Sequence, residues 1–139
     1  MLDVLGRINR DHGTAIMLIS HNLAVVSSLC QRVLVMYAGR IVEDVDAATL
    51  ESGAAHPYTK ALMAIVPDLK TDRTTPLVSI PGRPPRLAEL KTGCPFAPRC
   101  PAVTEQCRSE TPELVELSRG HRVACFVATE RTPEVSVRG

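Results

Sequence analysis

Apolar positions in the first half of the chain fall into alternating helical and extended spacings. Leu2, Leu5 and Ile8, with Val4 less regularly, form one stripe, and Arg7, Arg10 and Asp11 lie off it. That spacing predicts a helix ending at Gly13, the residue type best suited to a left-handed C-terminal conformation. Residues 14–20 are apolar and β-branched without a helical period and read as a strand. Asn22 is placed to cap a following helix, with Leu23, Val26, Leu29 and Cys30 on its inner face. Val33 to Tyr37 forms a second apolar strand. Two near-continuous apolar strands joined by a helix predict a βαβ crossover with both strands buried on both faces. Ala38-Gly39 then turns the chain into Arg40–Val45 as an antiparallel hairpin partner.

A short helix is expected from about Ala47 to Glu51, before Gly53. Pro57 opens another, because Tyr58, Ala61, Leu62, Ile65 and Val66 follow the i, i+3, i+4, i+7, i+8 spacing of an apolar face. His56, just before it, is expected to hydrogen-bond the helix end or face solvent. From Pro67 to Gly93 helical periodicity is lost, and Pro81-Gly82-Arg83-Pro84-Pro85 must be extended or turned. The chain therefore divides into an α/β region over 1–66, a proline-rich linker over 67–93, a cysteine-rich segment over 94–126 and a tail over 127–139 expected to be disordered. Two parallel strands are too few for a stable doubly wound sheet, so the first region needs neighbours beyond these residues.

Composition narrows the function classes. The chain has 139 residues, enough for a real core, and a formal net charge of +1. Balanced charge and an aromatic content of 3% remove the basic surface and stacking platforms that nucleic acid requires. No apolar run approaches the ~20 residues of a membrane span. The charged, amphipathic start MLDVLGRINRD is no signal peptide, so a cytosolic location is expected.

Two groups of residues carry candidate chemistry. His21 follows the predicted strand at 14–20, where open α/β sheets bind ligands; a histidine so placed is otherwise a hydrogen-bonded loop residue. Cys94, Cys100, Cys107 and Cys125 are spaced C-x5-C-x6-C-x17-C, with Cys30 apart. Four thiols in a short proline-rich segment of a cytosolic-looking chain point to metal before disulfides. A four-cysteine zinc site, an iron–sulfur cluster, and unligated or disulfide-bonded thiols all remain open on spacing, with zinc ranked first. The segment has few large apolar residues, and pieces below ~40 residues usually need a metal or disulfide staple. His121 is a lesser ligand candidate, and Arg99 is placed either to donate to an anionic cluster or carboxylate or to stand in solvent.

The order of motifs resembles the C-terminal end of the ATP-binding subunit of ABC transporters, in the oligopeptide/dipeptide importer branch. LISHNLAVV is similar to that family's switch-histidine region, and VLVMYAGRIVE to the strand and hairpin that follow. HPYTKALM, PGRPP and GCPFAPRC then match the peptide-importer C-terminal extension in order, so the likeness runs from Leu2 to about Phe126. The family more often has Asp where Asn22 stands; both residues can cap the helix. The resemblance implies that His21 reaches the γ-phosphate of ATP and helps position the attacking water, in keeping with phosphoryl transfer by positioning and electrostatics. It also implies that the four cysteines hold a [4Fe–4S] cluster, with zinc as the alternative, which reverses the order that spacing gives.

No G-x-x-x-x-G-K-[ST] phosphate loop, Asp-Glu strand end or LSGGQ-like segment occurs in these residues. ATP and magnesium are therefore expected only in a complete subunit, and the chain alone is expected not to hydrolyse ATP. The implied partners are membrane subunits, a second ATP-binding subunit and, indirectly, an extracytoplasmic peptide-binding protein, with the chain peripheral on the inner face of the membrane. A stand-alone iron–sulfur or zinc protein, or a regulatory module docking on a full ATPase, is the alternative.

Overall fold

The computed structural model describes residues 2–65, 79–90 and 92–130. Helix α1 spans Leu2–His12 and ends at Gly13, which takes φ +64°. Helix α2 spans Leu23–Leu29; the Asn22 side chain accepts the backbone N–H groups of Ala24 and Val25, and Leu23 and Val26 are buried. Strands β1, Arg32–Tyr37, and β2, Arg40–Asp46, follow as an antiparallel hairpin. Ala38 and Gly39 both take positive φ, +49° and +76°, the backbone twist that two-residue hairpin turns favour. Helices α3, Ala47–Gly53, and α4, Pro57–Ile65, come next. The cysteine-rich segment contributes a 3₁₀ turn at Ala97–Arg99, helix α5, Glu105–Ser109, strands β3, Val115–Ser118, and β4, His121–Val123, and helix α6, Phe126–Glu130.

The four strands form one sheet in the order β1-β2-β4-β3, every neighbouring pair antiparallel. The predicted βαβ crossover is not formed. Residues 14–20 are not a strand, and Met17 and Ile19 are each 88% exposed. The physical reason is pairing: an apolar run becomes a strand only where another edge satisfies its N–H and C=O groups. Strand β1 is also not buried on both faces. Val33, Val35 and Tyr37 face inward, whereas Leu34 and Met36 are 49% and 60% exposed. Helix α1 likewise buries none of its residues, and its apolar stripe, including Leu2 and Ile8, remains open to solvent.

The core packs α2, α3 and α4 against the inner face of the hairpin, around Leu23, Val26, Val35, Val45 and Leu50. Three of the chain's four aromatic rings sit together there. Tyr37 lies 4.6 Å from Tyr58 and 5.2 Å from Phe96 between ring centroids. Phe96, only 1% exposed, belongs to the first cysteine loop, so that loop is pinned into the same core. Residues 127–130 are helical, not the unstructured tail expected, while 131–139 and the linker positions 66–78 lie outside the described residues.

Candidate cysteine-lined metal centre

Three loop positions and helix α5, which carries Cys107, bring the cysteines together. Gly93, at φ +104°, lets the chain approach α5 so closely that Cys94 N–H donates to the Cys107 carbonyl at 2.7 Å. A Cβ built on Gly93 would stand 2.5 Å from the Arg108 carbonyl oxygen, so no other residue fits this approach unchanged. The 3₁₀ turn then carries the chain from Cys94 to Cys100, Ala97 N–H donating to the Cys94 carbonyl and Cys100 N–H to the Ala97 carbonyl. Thr104 caps α5, its hydroxyl accepting from Cys107 N–H and lying 3.2 Å from Cys107 Sγ. Cys125 leaves β4 and leads into α6, where Thr129 bonds to its carbonyl through both backbone and side chain.

Cys94, Cys100, Cys107 and Cys125 all wall one small pocket, with Phe96, Pro112 and Phe126 among its apolar lining. Burial pushes the Cys94, Cys100 and Cys125 thiols up from their ordinary values, and neighbouring cysteines add to the shift. The neighbouring backbone opposes it, at Phe96 and Ala97 for Cys94, at Ala102 for Cys100, and at Ala128 and Val127 for Cys125. Four free thiols on one pocket wall, two buried and two half-buried, suit a cationic centre, whose charge makes the thiolate the stable form. All five cysteines are free of disulfides. Among the described residues no three Cys, His, Asp or Glu side chains close on a single ion position.

The other predicted residues lie elsewhere. His21 is exposed, just before the Asn22 cap and apart from the cysteines. Cys30 packs at the edge of the core. His121 does not wall the cavity; its Nε2 lies 2.6 Å from Glu43 Oε1. Arg99 meets neither a cluster site nor bulk solvent alone. Its guanidinium donates to the carbonyls of Ile80, Pro81 and Gly82 and to the Tyr37 hydroxyl, fixing the PGRPP segment over the aromatic cluster.

Sequence reading missed two buried groups that assemble the site. Glu43, fully buried on β2, accepts the backbone N–H groups of Ala55 at 2.7 Å and His56 at 3.1 Å as well as bonding His121. His56 is 1% exposed, not a solvent residue, and lines the cysteine cavity. Its Nδ1 accepts the Tyr58 backbone N–H at 3.0 Å, as the helix-end role predicts. Burial lowers its pKa to about 4, partly offset by Glu43, so the ring is neutral. The only signal for either was position: a carboxylate inside an apolar strand, and a histidine directly before the N-terminal proline of a helix.

The fold is an α/β arrangement in which one antiparallel sheet joins a hairpin and its helices to a cysteine-bearing segment. Residues 42–107 match the family described as the oligopeptide/dipeptide transporter C-terminal region. The chain is 49% identical over 118 residues to the probable peptide ABC transporter ATP-binding protein y4tR of Sinorhizobium fredii, covering 85% of this chain and 35% of that protein. It is 46% identical over 126 residues to the oligopeptide transport ATP-binding protein OppD of Mycobacterium tuberculosis, covering 91% and 21%. Against OppD of Escherichia coli it is 42% identical over 130 residues, covering 94% and 38%. The chain belongs to the peptide ABC transporter ATP-binding family, of which it represents the C-terminal region. It spans about a third of the length of the first of these relatives.

Proposed function

We propose that the chain serves as the C-terminal part of an ATP-binding subunit that powers oligopeptide or dipeptide import. The observation that carries this reading is the unbroken match of most of the chain to proteins named as peptide transport ATP-binding proteins. In a complete subunit His21 would contact the γ-phosphate, while the phosphate loop, signature and magnesium carboxylate come from segments outside the matched region. The exposed Met17 and Ile19 support this arrangement, since an apolar extended run beside the switch position suits pairing with further strands. Partners would be membrane subunits, a second ATP-binding subunit and, indirectly, an extracytoplasmic peptide-binding protein. The work would be done at the cytoplasmic face of the membrane; among the described residues no helix is long and apolar enough to cross one. Disrupting the gene should abolish uptake of labelled oligopeptides or dipeptides, with rescue by the wild-type gene but not by His21→Ala. Undiminished uptake would refute the role.

Cys94, Cys100, Cys107 and Cys125 would hold a [4Fe–4S] cluster, zinc being the alternative occupant. A cluster presents separate corner irons to its ligands, whereas zinc needs four sulfurs at about 2.3 Å from one point. The gathering of all four cysteines on one pocket wall supports a cysteine-ligated group there, and the family resemblance favours the first. Once bound, the group would neutralise the thiolates and tie the four loops together. The residues around it do the remaining work: Gly93 and Thr104 hold the backbone and sulfur of the Cys94–Cys107 pair in place, and Phe96, Pro112 and Phe126 restrict water. The role is structural, because it joins loops that possess little apolar core of their own.

A further inference from the structure

One buried side chain in the cavity wall does more than its local structure requires. His56 caps α4 through Nδ1, which accepts the Tyr58 N–H. Asn, Ser, Thr or Asp would cap as well, with less ring to bury. A ring nitrogen that accepts a hydrogen bond carries no proton, so in the neutral ring the proton sits on the other nitrogen, Nε2. The backbone of the same residue is fixed by Glu43, and its ring is flanked by Phe96 with centroids 5.8 Å apart. The imidazole is thus oriented from two sides while it walls the space that the four cysteines share.

We propose that His56 is a positioning residue of the cysteine site, its Nε2–H donating a hydrogen bond to a sulfur of the bound cluster or of a ligating cysteine. The inference rests on the iron–sulfur reading above. An N–H directed at cluster sulfur favours the reduced, more negative state and so raises the reduction potential.

His56→Asn separates the two roles, because asparagine keeps the cap and lacks the Nε2–H. Purified anaerobically, wild type and H56N should hold the same iron and sulfide, with the variant's midpoint potential shifted negative. Pulsed electron paramagnetic resonance of the reduced wild-type chain, labelled with ¹⁵N-histidine, should reveal a histidine nitrogen coupling that H56N lacks. Equal potentials together with no such coupling in wild type would overturn the proposal and leave the cluster standing. Should H56N fail to fold, the wild-type coupling alone decides. A wild-type chain without iron and sulfide would overturn the cluster and this role together.

Discussion

Glu43 Oε1 and His121 Nε2 lie 2.6 Å apart in a place where both side chains are almost wholly removed from solvent. Glu43 belongs to the hairpin before the proline-rich segment, and His121 to the cysteine-rich segment after it. The pair therefore ties the two halves of the chain, alongside the β2–β4 pairing of Glu43 with Val123 and Asp44 with Arg122. The same carboxylate also receives Ala55 and His56, so one group positions the entry to α4 and the second half of the sheet.

Glu43→Ala should be the most destabilising single change on the sheet. It would leave two backbone donors and His121 buried without their acceptor, at a cost of about 3–5 kcal/mol. Glu43→Gln retains an acceptor oxygen and should cost less. Urea denaturation of the two variants and wild type checks the order, and equal midpoints would show that Glu43 is not the tie.

Asp44 predicts a distinct acid response. Arg32 and then Arg122 donate to its carboxylate, and together they outweigh burial and lower its pKa from 3.8 to about 2. A depressed acid stabilises the fold above its unfolded pKa and loses that contribution as pH falls through the folded value. The loss should thus occur between about pH 4 and pH 2, and amount to about 1–2 kcal/mol once the exposure of both guanidinium groups is discounted. Asp44→Asn should flatten stability against pH in that window, as denaturation series at each pH would reveal.

Gly93→Ala should damage the cysteine site without touching a ligand. Its Cβ would collide with the Arg108 and Cys107 carbonyls at a backbone angle that alanine rarely adopts. The expected result is a loss of bound metal and about 2 kcal/mol or more of stability. Metal content and thermal melting measured on one preparation test both.

Local structure was legible where the signal was local. The Asn22 cap, the Ala38-Gly39 turn, the Pro57 start of α4 and the Gly13 stop all depend on a few adjacent residues, and each appears. The strand expected at 14–20 failed because strand formation depends on a neighbouring edge, which apolar content does not reveal. Pairing of the hairpin with β4 was harder to read, since Glu43 and His121 are 78 positions apart and no local window contains both. Buried charge inside a strand such as Val42-Glu43-Asp44-Val45 is the one mark that hinted at a partner across the sheet.

Counting singles out the cysteines as candidates; the residues that surround them it does not. Spacing identified Cys94, Cys100, Cys107 and Cys125, and the fold places all four on one cavity. His56, Gly93 and Thr104 support that cavity through a helix cap, a positive φ and a hydroxyl contact, roles which need the backbone path to be known. His121 and Arg99 seemed to belong with the cysteines because they are near in sequence, yet carboxylate and carbonyl acceptors claim them.

The occupant of the cysteine cavity is tested most directly by iron and acid-labile sulfide determination on the chain purified without oxygen. The account predicts a brown protein holding about four irons and about four sulfides per chain, both lost in Cys94→Ala or Cys125→Ala. Stoichiometric zinc with no iron and no sulfide would contradict it.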